Sequence, residues 1–112
     1  MTVKESGGRV NIAMTRGDSE SITVRCSEPF VPGDTVYFTL REDAESELLL
    51  QKKVTEFPEG EAIIPLLPGD TEPLDFGSYL YDIQVTRADG TVTTVVRPSR
   101  FTLDEEVTYG WL

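Results

Sequence analysis

The feature that most constrains the fold of this chain is the recurrence of apolar residues at every second position. Strands with one buried face have this period, whereas amphipathic helices repeat every three or four residues. The alternating sets are Val10, Ile12 and Met14; Ile22, Val24 and Cys26; Val36, Phe38 and Leu40; Tyr79, Tyr81, Ile83 and Val85; and Phe101 and Leu103. The pattern therefore predicts strands over most of the sequence.

Turn-forming residues separate these sets. They are Gly17-Asp18, Pro29 to Asp34, Pro58 to Gly60, Pro68 to Asp70 and Asp89-Gly90. The Asp89-Gly90 pair favours a two-residue type I′ turn, so residues 78–87 and 91–97 are predicted to form a hairpin. Pro98 interrupts the last extended stretch, which suits an edge strand or a bulge because proline cannot donate to a ladder.

One segment is ambiguous between helix and strand. Residues 42–53 consist of good helix formers, yet every neighbouring segment reads as a strand and Leu48, Leu50 and Val54 can alternate. We therefore predict a strand over residues 48–55. The whole pattern predicts an all-β, immunoglobulin-like antiparallel β-sandwich of seven or eight strands.

The length predicts a single domain with one hydrophobic core. At 112 residues the chain is near the modal domain size. We expect an ordered core from about residue 9 to 107 and an aromatic C-terminal tail over 108–112. Tyr109, Trp111 and Leu112 lie past the last strand signal, where they either fold back or meet a partner, so they are candidate interface residues.

Charge and composition exclude several partners. The chain has 10 basic and 20 acidic residues, a net charge of −10, which repels nucleic acid and anionic membranes. No apolar run is long enough to span a membrane, and the first 15 residues contain no stretch typical of a secretory signal. The single cysteine, Cys26, rules out an intramolecular disulfide and suits a reducing compartment.

The sequence offers little catalytic or metal-binding chemistry. The chain has no histidine, which removes the commonest general base and transition-metal ligand. Five aspartates at loops or strand ends could attract calcium, but no calcium-loop motif is present and turn formation explains them better. These are Asp34, Asp70, Asp75, Asp82 and Asp89. We predict no enzyme activity, no metal and no cofactor.

Three further features are interpreted as structural. Arg16-Gly17-Asp18 spells an integrin-binding tripeptide but reads as a tight connection between two strands. Cys26 continues the apolar set of its strand and is interpreted as a small core residue. The acidic cluster of Asp104, Glu105 and Glu106 is interpreted as a solvated strand end.

Residues 75–81, Asp-Phe-Gly-Ser-Tyr-Leu-Tyr, resemble the D-x-G-x-Y-x-C corner of immunoglobulin domains. In that corner the tyrosine turns into the core and its hydroxyl bonds to upstream backbone. The resemblance implies a structural corner of Asp75, Gly77 and Tyr79, with Tyr79 as its buried anchor. Tyr81 stands where the second cysteine would be, so packing must replace the disulfide to Cys26.

A wider set of motifs resembles phage and prophage structural proteins. The set comprises Arg16-Gly17-Asp18, Phe38-Thr39-Leu40-Arg41, Phe76 to Ile83 and Asp89-Gly90. They are similar to the N-terminal β-sandwich of baseplate upper proteins. This resemblance implies a non-catalytic virion component, assembled in the host bacterial cytoplasm, that docks to other tail or baseplate proteins or to itself. The last extended stretch and the aromatic tail are its expected contact edge.

An alternative of a different class remains open. The chain could be a carbohydrate- or protein-binding accessory module of a bacterial surface protein. That function needs outward-facing aromatic residues, for which Tyr37, Tyr109 and Trp111 are the candidates.

Overall fold

Two β-sheets pack face to face in the computed structural model, which describes residues 1–4 and 8–105. The strands in chain order are Thr2–Lys4 (β1), Ile12–Thr15 (β2), Glu20–Arg25 (β3), Thr35–Arg41 (β4), Leu48–Val54 (β5), Ala62–Leu66 (β6), Gly77–Thr86 (β7) and Val92–Asp104 (β8). One short helix, Pro68–Thr71 (α1), and a 3₁₀ turn, Pro58–Gly60, complete the regular structure. Within the described ranges, no helix is long and apolar enough to cross a membrane.

The sandwich has three strands in one sheet and five in the other. The orders are β1-β3-β6 and β2-β8-β7-β4-β5. The prediction of an all-β sandwich of seven or eight strands is confirmed. The pairing is antiparallel except at two places, where β1 runs parallel to β3 and β2 runs parallel to β8.

An aromatic cluster forms the centre of the core. The rings of Phe38 and Tyr81 lie 5.4 Å apart, and the ring of Phe101 meets each of them edge-on at 6.1 Å. Ile22 and Ile64 of the opposite sheet are fully buried in the same cluster of core residues. Large aromatic side chains bury much apolar area, so packing takes the place of an inter-sheet disulfide.

The alternation does not reveal β1. Three residues are too few to establish a period, and β1 lies outside the ordered core expected from residue 9. Val3 is nevertheless buried, with 3% of its surface exposed, because β1 pairs with β3 from Thr2 opposite Thr23 to Lys4 opposite Arg25.

The structure confirms the strand expected over residues 48–55 and the predicted hairpin, with one correction at its turn. The Gly90 N–H donates to the Arg87 carbonyl, and the Arg87 N–H donates to the Thr91 carbonyl. Gly90 has a positive φ of 91° but Asp89 does not. A type I′ turn needs positive φ at both central residues, so the loop has three residues and Gly90 forms a bulge.

Two bulges interrupt the register between β8 and β7. Tyr81 pairs with Ser99 while Ile83 pairs with Val96, which leaves Arg97 and Pro98 opposite the single residue Asp82. Pro98 therefore lies at a bulge, one of its two predicted settings. The expectation that the last stretch is an open edge is wrong for residues 101–104, because β2 pairs with them on the side away from β7.

Candidate functional site

The loops at one end of the sandwich are rich in carboxylates, and we call this the acidic end. It comprises the β2–β3, β4–β5 and β6–β7 connections and the end of β8. The Gly17 N–H donates to the Thr71 Oγ1 at 2.8 Å and the Arg16 Nη1 donates to the Leu74 carbonyl at 3.1 Å, which joins two of these loops. Its acidic residues are Asp18, Glu42, Asp43, Glu45, Glu47, Asp70, Glu72, Asp75, Asp104 and Glu105.

The corner predicted from residues 75–81 lies at this end. The Tyr79 hydroxyl donates a hydrogen bond to the Asp75 carbonyl, and Gly77 opens β7 with a φ of 146°. The Tyr79 ring is only half-buried against the core, whereas Tyr81 is 1% exposed. The fully buried tyrosine is thus Tyr81 and not Tyr79, the expected anchor. Side chains of residues 77–86 point alternately to the two faces of the sheet, and Tyr81 meets Phe38 and Phe101 at the centre of the sandwich.

Beside this corner lies a groove of about 450 Å³, which we call the corner groove. Its lining residues are Glu42, Leu49, Pro73, Leu74, Asp75, Phe76, Gly77, Ser78 and Tyr79. Partial burial, together with the charges of Asp75 and Glu42, raises the pKa of Tyr79, so its phenol stays protonated at neutral pH. The groove thus combines apolar side chains with two carboxylates.

Two side chains of the corner groove are large, apolar and exposed. Phe76 is 52% exposed and Leu49 is 40% exposed. The guanidinium carbon of Arg16 lies 5.7 Å from the centre of the Phe76 ring, within the range of a cation–π contact, and the same guanidinium donates to the Leu74 carbonyl. Arg16 therefore fixes one face of Phe76 while much of the ring stays open to solvent.

The Arg16-Gly17-Asp18 sequence forms the tight connection between β2 and β3. The Asp18 N–H donates to the Thr15 carbonyl at 3.1 Å, and Gly17 has a φ of 85°. Sequence reasoning treats this turn as structural and does not find the support that Arg16 gives to Phe76. The exposure of Phe76 is also not predicted from the sequence. One signal was present, since Phe76 lies between Asp75 and Gly77 of the corner and does not belong to an alternating apolar set.

The five candidate calcium aspartates do not form one cluster, although Asp34 and Asp89 line the same pocket. Asp34 is buried and binds Arg87, with Oδ2 to Nη1 at 3.0 Å; Asp70 binds Lys52, with Oδ2 to Nζ at 2.6 Å. Asp89 accepts from the Thr91 N–H at 2.9 Å. In the part of the chain that the structure describes, no group of three or more His, Cys, Asp or Glu residues could hold a metal ion.

The other sequence candidates lie elsewhere. Cys26 is half-buried against the core, and Tyr37 is half-buried on the outer face of β4. Tyr109, Trp111 and Leu112, as well as Glu106, lie outside the described residues. The assignment of Tyr109, Trp111 and Leu112 as an interface and the interpretation of Glu106 as part of a solvated strand end both stay predictions.

Comparison with known proteins gives a similarity of fold and no family. No family model matches the chain, and no curated protein matches it. The crystal structure of CopC from Methylosinus trichosporium OB3b is similar, with a TM-score of 0.55 and 18% sequence identity over 88% of this chain and 89% of that chain. A likeness at this identity concerns the fold alone.

This comparison corrects the assignment made from sequence motifs. The prediction of a tail- or baseplate-associated phage or prophage structural protein is wrong: CopC is a structural relative, and no sequence or family match supports a phage origin or a virion location. The physical reason is that glycine-aspartate turns and alternating strands serve many unrelated sandwiches, so such motifs carry fold information and little function.

Proposed function

We propose that this chain is a non-catalytic protein-binding domain whose corner groove binds an extended partner segment with basic and apolar side chains. The observation that carries this proposal is the exposed pair of Phe76 and Leu49 in a groove that also holds Glu42 and Asp75. Apolar anchors near charged groups are the usual anatomy of a binding surface. The net charge of −10 favours a cationic partner and repels an anionic one.

The geometry of Phe76 supports a preformed anchor. Its ring is held by Arg16, so little side-chain freedom is lost when a partner covers the open face. Burying the exposed parts of Phe76 and Leu49 contributes about 1 kcal/mol each. Ion pairs to Glu42 and Asp75 at an exposed site contribute about 0.2–1 kcal/mol each. We therefore expect a weak complex that salt weakens further.

The chemistry of the groove argues against catalysis. Its titratable groups are Glu42, Asp75 and Tyr79, and the raised pKa of Tyr79 makes it a poor base at neutral pH. With no histidine in the chain, no imidazole can assist these groups.

Metal handling is the rival function that the CopC fold raises, since CopC is a copper-binding protein. Copper sites use imidazole, thiolate and thioether ligands. This chain has no histidine and one cysteine. Cys26 is half-buried and Met14 is buried in the core, which leaves Met1 as the one exposed thioether among the described residues. These residues do not provide a copper site, so copper binding is not carried over to this chain.

The test is a titration of the chain into a short fluorescein-labelled peptide of lysine and leucine, followed by fluorescence anisotropy. We expect saturable binding that weakens at high salt, and weaker binding to peptides with glutamate for lysine or serine for leucine. Removing both anchors with Phe76→Ser and Leu49→Ser should weaken binding about thirtyfold, a change of about 2 kcal/mol. Glu42→Gln with Asp75→Asn should reduce the salt dependence.

Two matched controls keep the test specific. Val31→Ser removes an apolar side chain that is 51% exposed, in the β3–β4 connection at the opposite end, and Glu56→Gln removes an exposed carboxylate that follows β5. Both variants should bind as the parent chain does. Equal binding of the glutamate peptide, or an unchanged affinity in the double anchor variant, would refute the proposal. Stoichiometric copper binding by the parent chain would support the rival function.

A further inference from the structure

A second groove lies on the outer face of the five-stranded sheet, away from the core. We call it the sheet groove; its volume is about 310 Å³. The register places Gln51 of β5, Thr39 of β4 and Asp82 of β7 side by side in one row across the sheet. Gln84 lies two residues along β7 on the same face. The groove is therefore built on regular strands, which hold its side chains in fixed positions.

The bulge in β8 opens one side of this groove. Asp82 faces Arg97 and Pro98, where β8 carries an extra residue, and Pro98 lines the groove. A regular strand would instead place one side chain directly beside Asp82. The bulge thus widens the space beside the carboxylate.

The Asp82 carboxylate is half-buried without a compensating contact. Among residues 1–4 and 8–105, no group hydrogen-bonds to it or pairs with it closely. Burial raises the pKa of Asp82, and the positive charge of Arg41 only partly opposes this. A partly desolvated acceptor without a partner is stabilised when a ligand donates a hydrogen bond to it.

The groups around Asp82 determine the chemistry of that ligand. The groove is lined by the carboxylates of Asp82 and Asp43, the guanidinium of Arg41, the amides of Gln51 and Gln84, and the Thr39 hydroxyl. Part of their hydrogen-bonding capacity is used within the protein: the Gln51 Nε2 donates to the Thr39 Oγ1, the Arg41 Nη1 to the Ser46 carbonyl, and the Glu45 N–H to the Asp43 Oδ1. A simple cation would meet Arg41, and a simple anion would meet the two carboxylates. A neutral ligand whose hydroxyls both donate and accept hydrogen bonds suits all of these groups.

We propose that the sheet groove binds a neutral saccharide of one or two rings. The volume of about 310 Å³ lies at the small end of ligand sites, which fits this size. Tyr37 pairs across the strands with Gln84, which lines the groove, and is half-buried on the same face of the sheet. The site is separate from the corner groove and does not depend on the function proposed there.

The experiment is a titration of the isotope-labelled chain with cellobiose, maltose and diacetylchitobiose in turn, followed by amide chemical shifts in NMR. We expect saturable shifts at Thr39, Gln51, Asp82 and Gln84 with at least one of these sugars at millimolar concentration. High salt should leave the affinity unchanged, in contrast to peptide binding at the corner groove. Asp82→Asn and Gln84→Ala should each weaken binding by about tenfold.

The control variant Glu56→Gln should bind like the parent chain, and Phe76→Ser should leave sugar binding intact. The proposal is overturned if none of the three sugars gives saturable shifts in the groove, or if Asp82→Asn and Gln84→Ala both retain full affinity. It is also overturned if acetate or an arginine amide occupies the groove and the sugars do not.

Discussion

The hydroxyl of Tyr81 donates a hydrogen bond to the carbonyl oxygen of Val10, a residue 71 positions away in the sequence. Tyr81 is the largest fully buried side chain among the described residues. Its ring packs against Phe38 and Phe101 while its hydroxyl reaches the segment that leads into β2. One side chain therefore joins the centre of the core to the first residues of the five-stranded sheet.

Replacing this phenol should destabilise the fold without disturbing its packing. In Tyr81→Phe the ring remains and the Val10 carbonyl loses its donor, which should lower the free energy of unfolding by about 1–2 kcal/mol. Urea denaturation measures this change. Tyr79→Phe is the matched control, and it should cost less because Tyr79 is only half-buried. Equal losses in both variants would contradict the central role of Tyr81.

Alkaline pH should weaken the fold through the same residue. Burial raises the pKa of Tyr81 to about 12. The phenol of the unfolded chain ionises near pH 10. The contribution of Tyr81 to the free energy of unfolding is therefore fully present below pH 10, and about 2 kcal/mol of it is lost as the pH rises toward 12. The difference in unfolding free energy between the parent chain and Tyr81→Phe should therefore shrink across this range. If this difference stays constant with pH, ionisation of Tyr81 is not what weakens the fold.

Asp34 should be among the most sensitive polar positions. Its carboxylate is 2% exposed and accepts from the Val31 N–H, the Ala88 N–H and the Arg87 guanidinium. Asp34→Ala should lower the free energy of unfolding by about 3 kcal/mol, because it leaves the Arg87 charge and the Ala88 N–H without their partner. Asp89→Ala, at an exposed position in the neighbouring β7–β8 turn, should cost less. Thermal denaturation compares the two.

The pH dependence of Asp34 has the opposite sign to that of Tyr81. The Val31 N–H, followed by the Ala88 N–H and Arg87, lowers the pKa of Asp34 against the effect of burial. The contribution of Asp34 to the free energy of unfolding is therefore fully present above the unfolded pKa of about 3.9. It is lost as the pH falls toward the lower folded pKa. At acidic pH the difference in the free energy of unfolding between the parent chain and Asp34→Ala should therefore become smaller.

Gly60 should not tolerate a side chain. Its φ is 75°, and a Cβ atom placed there would lie 2.8 Å from the Cβ of Pro29. Gly60→Ala should therefore destabilise the fold by about 1–2 kcal/mol. Gly69→Ala is the matched control, since a Cβ atom there meets nothing within 4 Å. An equal effect of the two substitutions would show that the contact with Pro29 is not what restricts Gly60.

Asp82 should behave as a residue that weakens the fold at neutral pH. Because burial raises its pKa, the folded state takes up a proton before the unfolded state does, and stability rises as the pH falls through that folded pKa toward the unfolded value of about 3.9. Asp82→Asn should be at least as stable as the parent chain at pH 7 and should lack this pH dependence. Chemical denaturation at several pH values, compared with Glu56→Gln, tests this expectation.

The sequence predicted the strands whose buried face alternates over several residues. It did not predict β1, which is too short, or the bulges of β8. Val95 and Val96 are both buried because the extra residue in β8 reverses which side chains after it point to the core. Such a change contradicts strict alternation, so the period alone could not reveal it.

The site was predicted only in part. The resemblance of residues 75–81 to an immunoglobulin corner predicts a hydrogen bond from the Tyr79 hydroxyl to upstream backbone, and the structure has one to the Asp75 carbonyl. The sequence did not predict the corner groove, because Glu42, Leu49 and Phe76 come from separate segments that only the fold brings together. Asp82 was read as one of many loop carboxylates, and only the register with Thr39 and the bulge opposite it place it in a groove.

The parallel pairing of β2 with β8 also determines how the domain responds to force. From Ile12 opposite Phe101 to Thr15 opposite Asp104, the two strands run side by side in the same direction. Tension applied between residues 12 and 104 pulls them along their length in opposite senses, so their hydrogen bonds are loaded together rather than opened one at a time. The domain should therefore resist stretching between these points far better than a hairpin of the same size.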